Sequence, residues 1–183
     1  MIFKRFFSCG RQTITSVENP LFANFMGAGC VFTDGKHVLA GYQPHKRFPC
    51  ITGIGGHREK GETYYQTAFR ETVEEIFHVS TLPSQLVSTL IRKMPPRKEE
   101  NNKNYIILHY NFDDFKKFLF ICKKSGLLSP VYKKLPQTLT QSIRNRIVDE
   151  NAEISHLCLL PVVKDFSGRQ FIHPAFIQDM KEM

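Results

Sequence analysis

The sequence holds no run of 18 uninterrupted apolar residues, so no segment is expected to cross a bilayer as a helix and no membrane partner is expected. Cysteine is sparse. Cys9, Cys30, Cys50, Cys122 and Cys158 are odd in number and include no C-x-x-C pair. That argues against a disulfide framework and for free thiols in a reducing, cytoplasmic setting. No two histidines stand at i, i+4 and no H-E-x-x-H occurs, so the zinc signature is missing. Internal repeats and low-complexity tracts are absent. Tryptophan is absent too, and Phe dominates the aromatics.

Acid is scarce. There are 17 Asp and Glu against 25 Lys and Arg, a net charge of +8. Such a balance favours polyanionic partners, either nucleic acid or phosphorylated ligands. No acid precedes Glu18. The basic stretch from Met1 to Ser8 has too short an apolar run for a secretory signal. A first strand or cap is expected there, with a mitochondrial presequence as the alternative. At 183 residues the chain is expected to form a single domain, 1–183, with a sizeable core.

The scarce acids are not spread evenly. Five of the 17 fall between Glu59 and Glu75. Close carboxylate pairs on a helix repel by roughly 0.2–0.5 kcal/mol each, a cost that a bound cation removes. Thr52 to Gly56 is a tight, glycine-rich approach. Thr63 is a candidate N-cap, and neither Gly nor Pro interrupts 64–78. At 3.6 residues per turn, Tyr65, Phe69, Val73, Ile76 and Phe77 form an apolar stripe, with Glu71, Glu74 and Glu75 opposite. Glu62, just before the helix, can fold back toward them. Hard divalent cations take oxygen ligands, and Mg²⁺ suits a few carboxylates plus substrate phosphates.

Gly56, Glu62, Arg70, Glu71, Glu74 and Glu75 together spell G-x5-E-x7-R-E-x-x-E-E. This resembles the Nudix box, which continues x-G-U with U aliphatic. Three positions depart from it. Phe77 stands for the Gly, His78 for the last aliphatic residue, and Thr72 is a weak substitute for the first. The Gly normally helps end the helix, so its loss leaves the helix terminus to be explained. The resemblance is strongest over 53–76 and extends loosely from Ala28 to Pro161.

The resemblance implies an α/β fold, a Nudix-like α/β/α sandwich with a mixed β-sheet and a central catalytic loop-helix. It implies a Mg²⁺- or Mn²⁺-dependent pyrophosphohydrolase that cleaves a nucleoside diphosphate linked to another moiety. Glu71, Glu74, Glu75 and the Gly55 carbonyl would be the metal ligands. Arg70, partnered by Glu62, would hold the carboxylates in place. Glu71 or Glu75 would serve as general base. Some family members recruit a later acid, and Glu150 and Glu153 are the candidates here, ahead of Glu99 and Glu100. His57 lies inside the box, where it could touch a phosphate.

Elsewhere, Ala28 to Tyr42 reads as a β-hairpin around Asp34-Gly35. Phe48–Thr52, Leu86–Lys93 and Asn104–Tyr110 read as strands, with an exposed, mobile loop from Met94 to Lys103. Residues 111–150 read as a basic helical elaboration. Phe112, Phe115, Leu119 and Cys122 recur at helical spacing. Lys116, Lys117, Lys123 and Lys124 share that helix, and Lys133, Lys134, Arg144 and Arg146 add charge. Thr138–Glu150 reads as a helix, Ile154–Leu160 as a strand, and Pro174–Met183 as a closing helix.

The substrate stays open at this stage. The lysines suggest a longer polyanion such as the mRNA 5′-cap (decapping), with aromatic strands to stack the cap base. Small nucleotides are the alternative: ADP-ribose, nucleoside triphosphates or dinucleoside polyphosphates. Pro95 and Pro96 lie near an offset some ADP-ribose-cleaving members use. Diphosphoinositol phosphates also suit a lysine-rich surface, and an inactive ligand- or RNA-binding module is the reading from a different class. The oligomeric state is not legible.

Overall fold

The computed structural model describes residues 19, 22–163 and 171–181. The readings of Met1–Ser8, Cys9 and the last two residues lie outside the described residues. Among the described residues no helix is long and apolar enough to cross a membrane.

The α/β class with a mixed sheet is borne out. Strand β1 (Gly27–Phe32) is buried throughout and pairs antiparallel with β4 (Ile54–His57) and parallel with β6 (Tyr105–Tyr110). Strand β5 (Lys98–Asn102) completes the order β4-β1-β6-β5. A second sheet sets β2 (His37–Gln43) between β3 (Cys50–Thr52) and β7 (His156–Pro161).

Alternation within β1 and β6 assigns the two faces of the first sheet. Ala28, Cys30, Phe32, Ile106, Leu108 and Tyr110 pack in one core with α1 (Tyr64–Phe77), α2 (Leu86–Lys93) and α3 (Phe112–Lys124). Val31 and Ile107 point the other way. They meet Val38, Ala40 and Leu160 of the second sheet, and Phe176 and Met180 of α5 (Pro174–Lys181). The second layer is therefore a small sheet plus one helix.

Four sequence expectations need correction. The Asp34-Gly35 turn exists, with Asp34 accepting the amides of Lys36 and His37. Its strands, however, share only the Thr33–Val38 bridge before diverging into separate sheets. β4 and β6 already occupy both edges of β1, so β2 has no ladder to join.

Leu86–Lys93 is a helix, not a strand. Its β-branched residues mimic a strand, yet Leu86, Leu90 and Met94 are buried one helical turn apart. Inside the expected loop, Lys98–Asn102 pairs antiparallel with β6. The expected helix at 138–150 shrinks to α4 (Leu139–Arg144).

Helix α1 starts as its sequence dictates. Thr63 caps the Gln66 amide, and the Gln66 side chain accepts from the Thr63 amide at 2.8 Å, a reciprocal capping box. Phe77 is fully buried, with its ring against Phe118 and Tyr132.

The end of α1 answers the question left by the missing glycine. His78 takes the left-handed conformation itself, at φ 49°, and with Val79 donates to the Glu74 carbonyl. The next three carbonyls, which a helix leaves without partners, all find donors. Arg146 serves Glu75 and Ile76, and the Ser129 hydroxyl serves Phe77 at 2.6 Å. Arg146 and Ser129 both belong to the section read from sequence as a basic elaboration.

Candidate functional site

Arg70 is the hub of the site. Its guanidinium uses all five N–H groups. Two go to Glu62, at 2.7 and 3.0 Å. One goes to Glu71 at 2.9 Å, one to Glu74 at 2.8 Å and one to the His57 carbonyl at 2.9 Å. The fork geometry of Arg suits such bidentate work, which a lysine could not duplicate.

Glu62 is committed to that hub. It also accepts the Glu59 amide and the Thr67 hydroxyl. Burial alone would raise its pKa, but Arg70 and these two donors outweigh it and bring it down to about 2. A carboxylate so weakly basic is suited to holding Arg70 and not to taking a proton.

Glu75 has a different environment. The sequence placed it opposite the apolar stripe, yet it is 6% exposed. α1 packs on β1 and β4 as well as on α2, so two sides of the helix are covered. One Glu75 oxygen accepts the Gly55 amide at 2.6 Å. Burial pushes its pKa well up, the Gly55 bond offsets part of this, and Glu153 and Glu71 raise it further. The pKa values of Glu71 and Glu74 are also raised by burial, against the pull of Arg70.

The glycines explain how carboxylates come so near the strand. Gly55 has φ 146°, a conformation side chains rarely adopt. A Cβ at Gly56 would stand 2.5 Å from the Glu71 carboxylate. Gly56→Ala should therefore displace that flexible side chain and lower activity while sparing the fold. Turnover and thermal melting on one sample check this, and an unchanged rate would overturn it.

These residues edge a cleft of about 500 Å³ between the two sheets. Its floor is Gly27, Gly29, Gly55 and Gly56, with Tyr105 lying across them. Apolar walls come from Met26, Val31, Ile107 and Phe176. Burial and the nearby Glu75 carboxylate keep the Tyr105 phenol protonated, hence a donor.

Of the two later acids, the structure brings only Glu153 to the cleft. Gln43 donates to it at 3.0 Å, and Lys46 lies 3.6 Å away. It is close enough to raise the pKa of both Glu71 and Glu75. Glu150 is exposed and does not line the cleft. Glu99 is held on the opposite sheet face by the hydroxyls of Tyr64 and Tyr65. Glu100 pairs with Lys98 and His109. His57 is exposed at the cleft rim.

Lys116, Lys117, Lys123 and Lys124 are exposed on α3, and none lines the cleft. The buried face of α3 packs in the core on the other side of the sheet. Sequence reasoning missed Tyr105, Gln43 and Lys46. Only the strand alternation hinted that Tyr105 faces away from Ile106.

Whether the site suits a divalent cation can be judged from its donors. Among the described residues, buried Glu75 has one amide as its hydrogen-bond partner and no cation within ion-pair distance. It is pressed by Glu71 and Glu153, so its charge is under-compensated. That all-oxygen set fits a hard cation in kind. Among the described residues, no three His, Cys, Asp or Glu side chains already converge as ligands. Arg70 holds the Glu71 and Glu74 oxygens that would have to turn.

A family model described as the NUDIX domain matches residues 23–134. No curated protein matches the chain. Two crystal structures of a bifunctional NMN adenylyltransferase/ADP ribose pyrophosphatase from Francisella tularensis are similar, one of them complexed with AMP and Mn ion. Each is 15% identical with a TM-score of 0.44, over 90% of this chain and 42% or 41% of theirs. The chain thus spans less than half the length of those structures.

Proposed function

The chain belongs to the NUDIX family, and on that premise we propose that it is a divalent-metal-dependent pyrophosphohydrolase of small nucleotides. The substrate is a nucleoside diphosphate linked to a second group. Water attacks phosphorus, the bridging P–O bond breaks, and two phosphate products leave. The observation that carries this reading is geometric: Glu75 accepts the Gly55 amide and Glu71 lies against Gly56, and both glycines line a partly apolar cleft that Glu153 also lines.

Glu71, Glu74, Glu75 and the Gly55 carbonyl would hold Mg²⁺ or Mn²⁺. Such an ion neutralises pyrophosphate charge and lowers the pKa of water. Arg70 and Glu62 keep the carboxylates in register. Glu153 is solvent-accessible and free of Arg70, which suits it to accept the proton as general base. Tyr105 is placed to donate to a phosphate oxygen, and Lys46 and Lys103 add positive charge at the cleft. The apolar walls receive the nucleoside.

Capped RNA is the competing substrate, since α3 presents four exposed lysines. That none of those lysines lines the cleft favours the small nucleotide. The test is a panel of ADP-ribose, a dinucleoside polyphosphate, the nucleoside triphosphates, a diphosphoinositol phosphate and a capped RNA, with products identified by mass. Hydrolysis of a small nucleotide at millimolar Mg²⁺, abolished by EDTA, is expected. Full activity in EDTA would overturn the metal assignment. Preference for long capped RNA, lost when the lysine pairs are neutralised, would move the substrate to RNA. Binding without turnover anywhere would mark a ligand-binding module.

A further inference from the structure

Arg146 is buried, at 8% exposure, on the loop after α4. A buried arginine normally has a carboxylate partner. No ion pair of this residue is found among the described residues. Among the described residues its guanidinium donates to four backbone carbonyls. Two belong to the last turn of α1, Glu75 at 3.1 Å and Ile76. Two belong to the segment entering β7, Ile154 at 2.6 Å and Ser155 at 3.2 Å. The Tyr132 ring lies 5.8 Å from the guanidinium carbon and also packs on Phe77.

The two segments so joined are about 80 residues apart in sequence, and each carries one acid of the site. Glu75 is itself a bonded residue, and Glu153 immediately precedes Ile154. A cation also suits this point electrostatically. A helix C-terminus carries partial negative charge, and Glu74 and Glu75 sit in the last turn, where acids are disfavoured. Arg146 sets a full positive charge against that end.

We propose that Arg146 is a positioning residue for the hydrolytic reaction: it fixes the separation of Glu75 and Glu153 by bonding the backbone that bears each. This rests on the pyrophosphohydrolase reading above. On that reading the section 111–150 contributes to the site from behind, as the clamp on the catalytic helix. Misplacing a reacting group by about 1 Å costs on the order of a hundredfold. Lysine keeps the charge but cannot reach four carbonyls in the fork geometry.

The experiment compares wild type, Arg146→Lys, Glu153→Gln and the double variant at 15 °C, with folding followed by circular dichroism. Arg146→Lys is expected to lower kcat about ten- to hundredfold with KM changed less than threefold. In the Glu153→Gln background the same change should cost less than threefold, because there is no longer a base to position. Amide exchange should quicken together at His78–Val79 and at Ile154–Ser155. An Arg146→Lys enzyme with wild-type kcat, or one that loses equally in both backgrounds, overturns the proposal. So does a variant that fails to fold, which would make the residue structural alone. An inactive wild type across the substrate panel would sink the underlying function reading instead, and the coupled exchange would still report the clamp.

Discussion

Glu75→Gln should lose at least about a hundredfold in kcat and, in metal-free buffer, melt at a higher temperature than the parent. The first effect has the size seen when a preorganised electrostatic group is removed from an active site. The second follows from burial. A charged Glu75 sits among protein atoms with one amide donor and two acidic neighbours, and burial pushes its pKa well up. Glutamine keeps the shape and can still accept the Gly55 amide. It removes a charge whose desolvation is only partly offset. Mn²⁺ should raise the melting temperature of the parent, as binding to the native state alone requires, and raise that of the variant less, since one of the ligands is weakened. Opposite movements of rate and stability would separate a catalytic loss from unfolding. Full activity in the variant would refute the assignment of Glu75.

Phe77→Gly should destabilise the protein by about 4–6 kcal/mol, although it restores the residue that the family motif carries. Removing a buried Phe ring costs roughly 3–5 kcal/mol. Glycine inside a helix adds about 1 kcal/mol more. Phe77 touches Phe118 and Tyr132, and its neighbours form the core between α1 and α3. The usual benefit of glycine, ending the helix, has no opening here. Every terminal carbonyl of α1 already has a donor from the chain amides, Arg146 or Ser129. The urea midpoint checks this, at unchanged m. A variant as resistant as the parent would show that the ring contributes little.

Helix α1 was legible because its signals are local. The cap, the stripe and the acid spacing all lie within one continuous segment. Glu153 was legible only as one of two acids near a strand, since sequence cannot say which of them the loop turns inward. Strand β5 was not legible. Lys98–Asn102 is polar throughout, and it is a strand because β6 offers an open edge to its backbone. Leu86–Lys93 was misread because Val87, Thr89 and Ile91 alternate, while the pattern that won, Leu86 with Leu90 and Met94, needs α1 as a partner to act. Arg146 looked like surface charge. Nothing nearby in sequence announces carbonyls that arrive from 70 residues away.

A floor built of glycines restricts how the cleft of this protein can change. A methyl group at Gly27, Gly29, Gly55 or Gly56 would collide with a strand oxygen, the Tyr105 hydroxyl or the Glu71 carboxylate. No single substitution there could reshape the pocket without closing it or shifting an acid. On the opposite wall the restriction falls on buried Phe176 and spares its exposed neighbours. His173, Ala175 and Gln178 line the cleft from the α5 region and are exposed, and that region contributes no acid to the Arg70 hub or its partners. Preference for one leaving group over another can drift along that wall one residue at a time while the hydrolytic machinery is left alone. Random mutagenesis with selection for a new nucleotide should therefore return changes at His173, Ala175 and Gln178 and none in the four floor glycines.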